Sequence, residues 1–166
     1  MSTDAVVGSG TSSESQTQSR VQRGRYAIYK PLKSGKGCAL TFEINTQMPA
    51  VFVEIAGQVS AEQRRFDWEK KVVMKWGLAD IGEIVAALDG NQKEAKLFHQ
   101  TDKGNTAFDL RHQSDREPAN FSASMSRQRS GAKDVTRFRI SISQGEAAVL
   151  LTVLRQSVLV LSRWLS

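Results

Sequence analysis

Two kinds of side chain in this sequence can do chemistry at a surface: long cations and flat aromatic rings. Lys71 and Lys75 lie four residues apart in an alternating polar–apolar stretch, and Arg137 and Arg139 lie two apart in another. On an extended chain, residues of one parity point to the same side of a sheet. Each pair therefore puts two positive charges on one face. Lys33 and Lys36 sit in a glycine-rich stretch, and Arg127, Arg129 and Lys133 in a polar basic one. Cations so placed attract a polyanion, and salt screens the attraction. Phe52 takes the opposite parity from Val51 and Val53, and Trp68 stands among charged residues. These two rings are the stacking candidates. The alternative for the whole set is a solvated sheet edge whose charge serves only solubility.

Other constellations fall short of a reaction centre. Asp67 and Glu69 share a parity, yet no nucleophile or metal cluster accompanies them, so no enzyme is expected. Cys38 is the single cysteine, which rules out an internal disulfide and a thiolate zinc site. It reads as a small buried or interface residue. His99 and His112 are the only histidines, too isolated for a metal site. His99 reads as a structural hydrogen-bonding group. Neither a metal nor a cofactor is expected. Phe66, Trp68 and Trp76 share parity with Val72 and Met74, which places Trp76 in a core, as are Phe108 and Phe121.

These residues need strands to align them, and the sequence supplies the pattern. The chain has 166 residues and a formal charge of +6. Residues 1–22 are rich in Ser, Thr, Gln and Gly and read as a disordered tail; 23–166 read as one domain. Strands are predicted from Tyr26, over Cys38–Ile44, over Ala50–Ile55 and over Phe66–Trp76. Ile81, Ile84, Val85 and Leu88 recur at helical spacing, so a helix is predicted over Leu78–Leu88, ended by Asp89, Gly90 and Asn91. Four further strands follow at Glu94–His99, Thr106–His112, Asn120–Arg127 and Val135–Ser143, with a hairpin turn in Gln100–Asn105. A last helix is predicted over Gln144–Leu165, capped by Ser143 with Glu146 three residues on. It is apolar on more than one face. One side can cover a sheet, and another, with Trp164, is expected to meet a second subunit. The layout is four strands and a helix, given twice.

Three segments in this order resemble the Whirly family of single-stranded DNA-binding proteins, over about residues 26–164. They are Gly35-Lys36-Gly37-Cys38-Ala39-Leu40-Thr41-Phe42; Phe66-Asp67-Trp68-Glu69-Lys70-Lys71 followed by Leu78-Ala79-Asp80-Ile81-Gly82-Glu83-Ile84; and Phe98-His99 with Lys103-Gly104 and the final helix ending at Trp164. Gly37 stands where the family usually has a second lysine. The resemblance implies an α+β fold of two four-stranded antiparallel sheets, each followed by a helix, with helices packed on the sheets and between subunits. It implies a homotetramer with single-stranded DNA lying across the sheets. Kinetoplastid mitochondrial RNA-binding proteins share that fold and bind guide RNA.

The expectation is therefore a non-catalytic binder of single-stranded DNA with little sequence specificity, protecting or organising exposed strands in DNA maintenance or transcription. The alternatives are an RNA-binding or annealing factor on the same fold, or a basic structural oligomer. The binding set is Lys33, Lys36, Phe52, Trp68, Lys71, Lys75, Arg127, Arg129, Lys133, Arg137 and Arg139. No apolar run was long enough to suggest a membrane span, and no leader or transit pattern was evident. An intracellular protein is expected, in cytoplasm or nucleoid, with an organelle left open.

Overall fold

Alternating segments become strands wherever turn residues let the chain reverse. The computed structural model describes residues 24–115 and 119–165. The tail expected over 1–22 lies outside the described residues. The first sheet is β1 (Arg25–Lys30), β2 (Cys38–Asn45), β3 (Ala50–Gly57) and β4 (Val72–Trp76), antiparallel and in chain order. Helix α1 (Leu78–Leu88) follows at once. The second sheet is β5 (Glu94–Thr101), β6 (Gly104–His112), β7 (Ala119–Arg129) and β8 (Val135–Ser143), again antiparallel in chain order. Helix α2 (Gln144–Leu161) follows it. This is the α+β layout expected from the sequence.

The two sheets share one core because each strand is apolar on a single parity. Leu40, Phe42, Val53, Ile55, Met74 and Trp76 face Phe108, Leu110, Met125, Ile140 and Ile142, all buried. Trp76 joins the halves: its ring lies 5.7 Å from Phe42 and 4.9 Å, edge-on, from Phe108. Ile81, Ile84 and Leu88 carry α1 into the same core. Burying each such side chain is worth about 1.5–3 kcal/mol. Edge strand β8 lies against β1, β2 and β3. The Phe138 ring there covers Gly57, where a Cβ would stand 2.7 Å from the ring, so that close approach requires glycine.

Helix α2 begins with the expected capping box. Ser143 Oγ accepts from Glu146 N at 3.2 Å, and Glu146 Oε2 accepts from Ser143 N at 2.8 Å. Ala147, Leu150, Leu154, Ser157 and Leu161 form its buried stripe. By length and composition, at 18 residues and mean hydropathy 1.2, α2 could cross a membrane, which corrects the reading that no segment reaches that size. Its bonding is that of a helix docked on its own domain: Glu146 pairs with Lys30 at 2.7 Å and Arg155 with Asp89 at 3.2 Å. Val149, Leu159, Trp164 and Leu165 remain exposed.

The helix ends at Leu161, four residues earlier than expected, with Arg163 in the left-handed region at φ 61°. The larger correction concerns Phe66–Trp76, which is not one strand. Phe66 makes an isolated bridge to Gln58, and Trp68–Lys70 form a 3-10 turn. Asp67 N donates to the Gly57 carbonyl at 2.8 Å, and Lys70 N to the Asp67 carbonyl at 3.2 Å. The Asp67–Lys70 ion pair at 3.6 Å spans the turn. Extended backbone resumes at Lys71, so parity cannot be counted from Phe66 through to Trp76.

Candidate nucleic-acid interface

The outer face of the second sheet has a small-residue floor and cationic walls. Phe121, Ala123 and Met125 point inward from β7, so Ser122, Ser124 and Ser126 point out. Register sets the rows across them. Phe98, Ala107, Ser126 and Arg137 form one row; Lys96, Asp109, Ser124 and Arg139 the next; Glu94, Arg111, Ser122 and Ser141 the third. Serine is too short to fill the space between long neighbours. The result is a depression of about 200 Å³ bordered by Asp109, Arg111, Arg137 and Arg139. Glu94 pairs with Lys96 at 3.1 Å and Arg111 at 3.3 Å. Arg137 and Arg139 are exposed and have no acidic partner among the described residues. Phe98 heads its row with 62 % of its surface exposed, the most exposed phenylalanine described.

The outer face of the first sheet differs. Phe52 is half-buried between Glu43 and Lys75 in register, and Glu54 lies two residues along the same strand. Lys71 precedes β4 and is held by Glu54 at 2.8 Å, so its charge is already neutralised. Lys71 and Lys75 were read as equivalent cations on one strand. Only Lys75 is on a strand, exposed and without an acidic partner among the described residues. A cavity of about 220 Å³ on this face is bordered by Thr41, Glu43, Phe52 and Glu54, two of them acidic. Trp68, half-buried in the 3-10 turn, belongs to neither strand face. Tyr29, on the outer side of β1, is 54 % exposed and stands 5.9 Å from the Phe66 ring.

The remaining candidates fall into two other places. Lys33 and Lys36 are exposed on the β1–β2 loop. That loop is held from below by Gln58, whose Oε1 accepts from Leu32 N at 2.8 Å and Gly37 N at 3.2 Å. Arg127 and Arg129 have the inward parity of β7 but lie past the end of the core. They border a groove of about 390 Å³ with Glu69, Lys70 and Asp134. They do not share the face of Arg137 and Arg139. Lys133 is exposed in the β7–β8 turn beside Asp134.

Buried ionisable groups serve the fold. Burial pushes the Cys38 thiol above its ordinary value, against a weaker opposing bond from the Arg139 backbone, so the thiolate is disfavoured. Burial pushes the Glu146 carboxyl up, but its bonds to Lys30 and Ser143 outweigh that and hold it below the usual value. Tyr26 is raised by burial and by the Glu146 charge. His99 Nε2 lies 3.2 Å from Asp80 Oδ1, the structural bond expected of it. Asp80 Oδ2 in turn accepts from Gly77 N at 3.0 Å, at the start of α1. Among the described residues, no three His, Cys, Asp or Glu side chains converge to hold a metal.

A family model described as Whirly transcription factor matches residues 40–153, more than half of the chain. The chain belongs to the Whirly family. Among solved structures it is similar to WHY1 from Arabidopsis thaliana, with 20 % identity, TM-score 0.69, and 86 % of this chain and 87 % of that one covered. The plant transcriptional regulator PBF-2 shows 21 % identity, TM-score 0.69 and coverage of 86 % and 84 %. Trypanosoma MRP1/MRP2 shares 12 % identity at TM-score 0.63, covering 84 % and 86 %. No curated protein sequence matches at a significant level. The Whirly family consists of non-catalytic nucleic-acid-binding proteins, which fixes the general function.

The fold accounts for one departure from the Whirly pattern. At Gly37 a Cβ would stand 2.2 Å from the Lys30 carbonyl oxygen and 2.5 Å from Gln58 Oε1. A lysine does not fit this loop conformation, and Lys33 and Lys36 remain as its cations. Sequence reasoning missed Phe98, Arg111 and Asp109 as surface groups. The signal was there: Phe98 shares parity with Glu94, Lys96 and Gln100, so it is the apolar member of a polar face.

Proposed function

We propose that this Whirly protein binds single-stranded DNA with little sequence specificity, through the outer face of β5–β8, and so protects or organises exposed strands. The observation that carries the reading is the row structure of that face: unpaired Arg137 and Arg139 on β8, the β7 serines next to them, and an exposed Phe98 at the far, β5 end of the Arg137 row. Cations neutralise phosphates, and the ring stacks on any base, which makes the contact tolerant of sequence. Duplex DNA hides its base faces, so the ring favours unpaired strands. Lys75, Lys33, Lys36, Arg127, Arg129 and Lys133 lie off this face and add only to the general positive charge of the protomer, and Phe52 and Trp68 are rings outside it. Lys71 contributes least, because Glu54 holds it.

The exposed residues of α2 supply the surface for a homotetramer, bringing four such faces into one particle. The family's description as transcription factors supports a role in transcription, and DNA maintenance is the other role such binding would serve. The test is a fluorescence anisotropy titration with matched single-stranded DNA, duplex DNA and RNA over a salt series. Tightest binding to single-stranded DNA, weakening with salt, supports the reading. Tighter binding of RNA would replace it with an RNA-binding role, and no binding to any of the three would reject it.

A further inference from the structure

Asp109 stands out on the cationic face. The other carboxylate on this face, Glu94, is paired with Lys96 and Arg111, whereas Asp109 lies unpaired in the middle row, between Lys96 and Ser124, and borders the depression. It makes no ion pair or side-chain hydrogen bond with any described residue. Its cross-strand neighbour Lys96 is held by Glu94 at 3.1 Å, as is Arg111 on the same strand at 3.3 Å. Asp109 is half-buried, and its carboxylate oxygens, which no described residue holds, stay open to donors from a ligand.

The depression fits a base better than a phosphate. Its volume of about 200 Å³ can admit a single planar heterocycle. The Ser122 and Ser124 hydroxyls on its floor can donate or accept. Arg137 and Arg139 border it with flat guanidinium groups, on which a base can stack. A phosphate there would meet the Asp109 charge, whereas a base would present its edge to it.

We infer that this depression is a base-reading subsite in which Asp109 selects unpaired guanine. Guanine carries N1–H and the exocyclic N2 amino group side by side on its pairing edge, two parallel donors for the two oxygens of one carboxylate. Cytosine and adenine offer one amino donor beside a ring acceptor, which a carboxylate repels. Thymine offers one N–H between two carbonyl oxygens. The edge is free only in an unpaired strand, so the subsite also rejects duplex. One such subsite adds a local preference to an otherwise tolerant surface. The inference rests on the proposed use of the β5–β8 face.

The test compares a short oligothymidylate with the same oligomer carrying one central guanine, cytosine or adenine. Anisotropy titrations use the full chain, with Asp109→Asn and Asp109→Ala variants. The guanine oligomer is expected to bind on the order of tenfold tighter than the thymine one, the scale of one good bidentate base contact. Both variants should lose that preference and bind oligothymidylate as well as the native protein or better. Circular dichroism melting checks that both fold. Three outcomes overturn the inference: equal affinity for all four oligomers, a guanine preference surviving in both variants, or a uniform gain for every oligomer on removing Asp109. In each, oligothymidylate binding persists, so the general function stands. Loss of all oligonucleotide binding in the native protein would instead reject the proposed function itself.

Discussion

Replacing Arg137 and Arg139 together by alanine separates the electrostatic account of this surface from mere basicity. Both side chains are exposed on the outer side of β8, and neither has an acidic partner among the described residues. Their loss creates no cavity and strands no buried charge, so stability should move by less than about 0.5 kcal/mol each, as for ordinary surface positions. If each neutralises one phosphate, each contributes about 0.7 to the slope of log affinity against log salt on a single strand. The double variant should therefore lower that slope by about 1.4. Arg137→Lys with Arg139→Lys keeps the charge and should keep the slope, though a stacked or bidentate guanidinium contact would weaken. Lys71→Ala combined with Glu54→Ala is the internal control. The pair, 2.8 Å apart, is neutral as a unit, so removing both charges should leave the slope nearly unchanged. Anisotropy titrations over a salt series read all of this. An unaltered slope in the folded double alanine variant would refute the assignment of phosphates to β8.

Phe98→Ala should weaken single-stranded DNA binding by about 1–3 kcal/mol, one stacked base, with little change in melting temperature because the ring is already exposed; unchanged affinity would remove the ring from the interface. The depressed Glu146 carboxyl gives a pH signature: its contribution is fully present above the unfolded carboxylate range near about 4.3 and is lost as pH falls through the lower folded value. Glu146→Gln should therefore lower the melting temperature at neutral pH and narrow the difference from the native chain under acid conditions. A difference that widened on acidification would contradict the Lys30–Glu146 bonding. Gly37→Lys, which restores the family's usual residue, should destabilise the fold, because its Cβ would stand 2.2 Å from the Lys30 carbonyl; an unaltered thermal melt would show that the loop relaxes freely. Val149→Glu with Leu159→Glu should reduce the mass seen by light scattering below that of the native assembly, and a monomeric native protein would rule out the tetramer.

Most of the fold was legible because its strands and helices obey simple periods. Helix α1 and strand β8 have the predicted bounds, and Ser143 caps α2 with Glu146 as expected. The stretch from Phe66 to Trp76 defeated the same reasoning. Its residues alternate in type, but Asp67 and Lys70 close a local turn that alternation cannot reveal. The parity of Trp76 survived because it is fixed by Val72 and Met74, after the break. The site was legible one strand at a time. Arg137 and Arg139 could be placed on one face, but which residues stand beside them depends on register, and register is a property of pairs of strands. Glu54 shares the parity of Phe52 on β3, but nothing local to either residue says that Glu43 and Lys75 stand on that face with them.

That pairing changes how the charge should be understood. A net charge of +6 invites a uniform positive surface, yet the two outer faces are unlike. On the first sheet, Glu43 and Glu54 lie among the cations, and Lys71 is held in place. On the second, Glu94 occupies Lys96 and Arg111 together, leaving Arg137 and Arg139 available on β8 while Phe98 stands exposed at the opposite edge on β5. Field strength at a surface depends on charges left unpaired within a Debye length of about 8–10 Å, not on the total. A strand of nucleic acid would therefore find its strongest hold along β8, and the direction of β8 would set the path by which it crosses each protomer. The floor beneath that path is serine, and its short side chains leave the depression between the longer neighbours open.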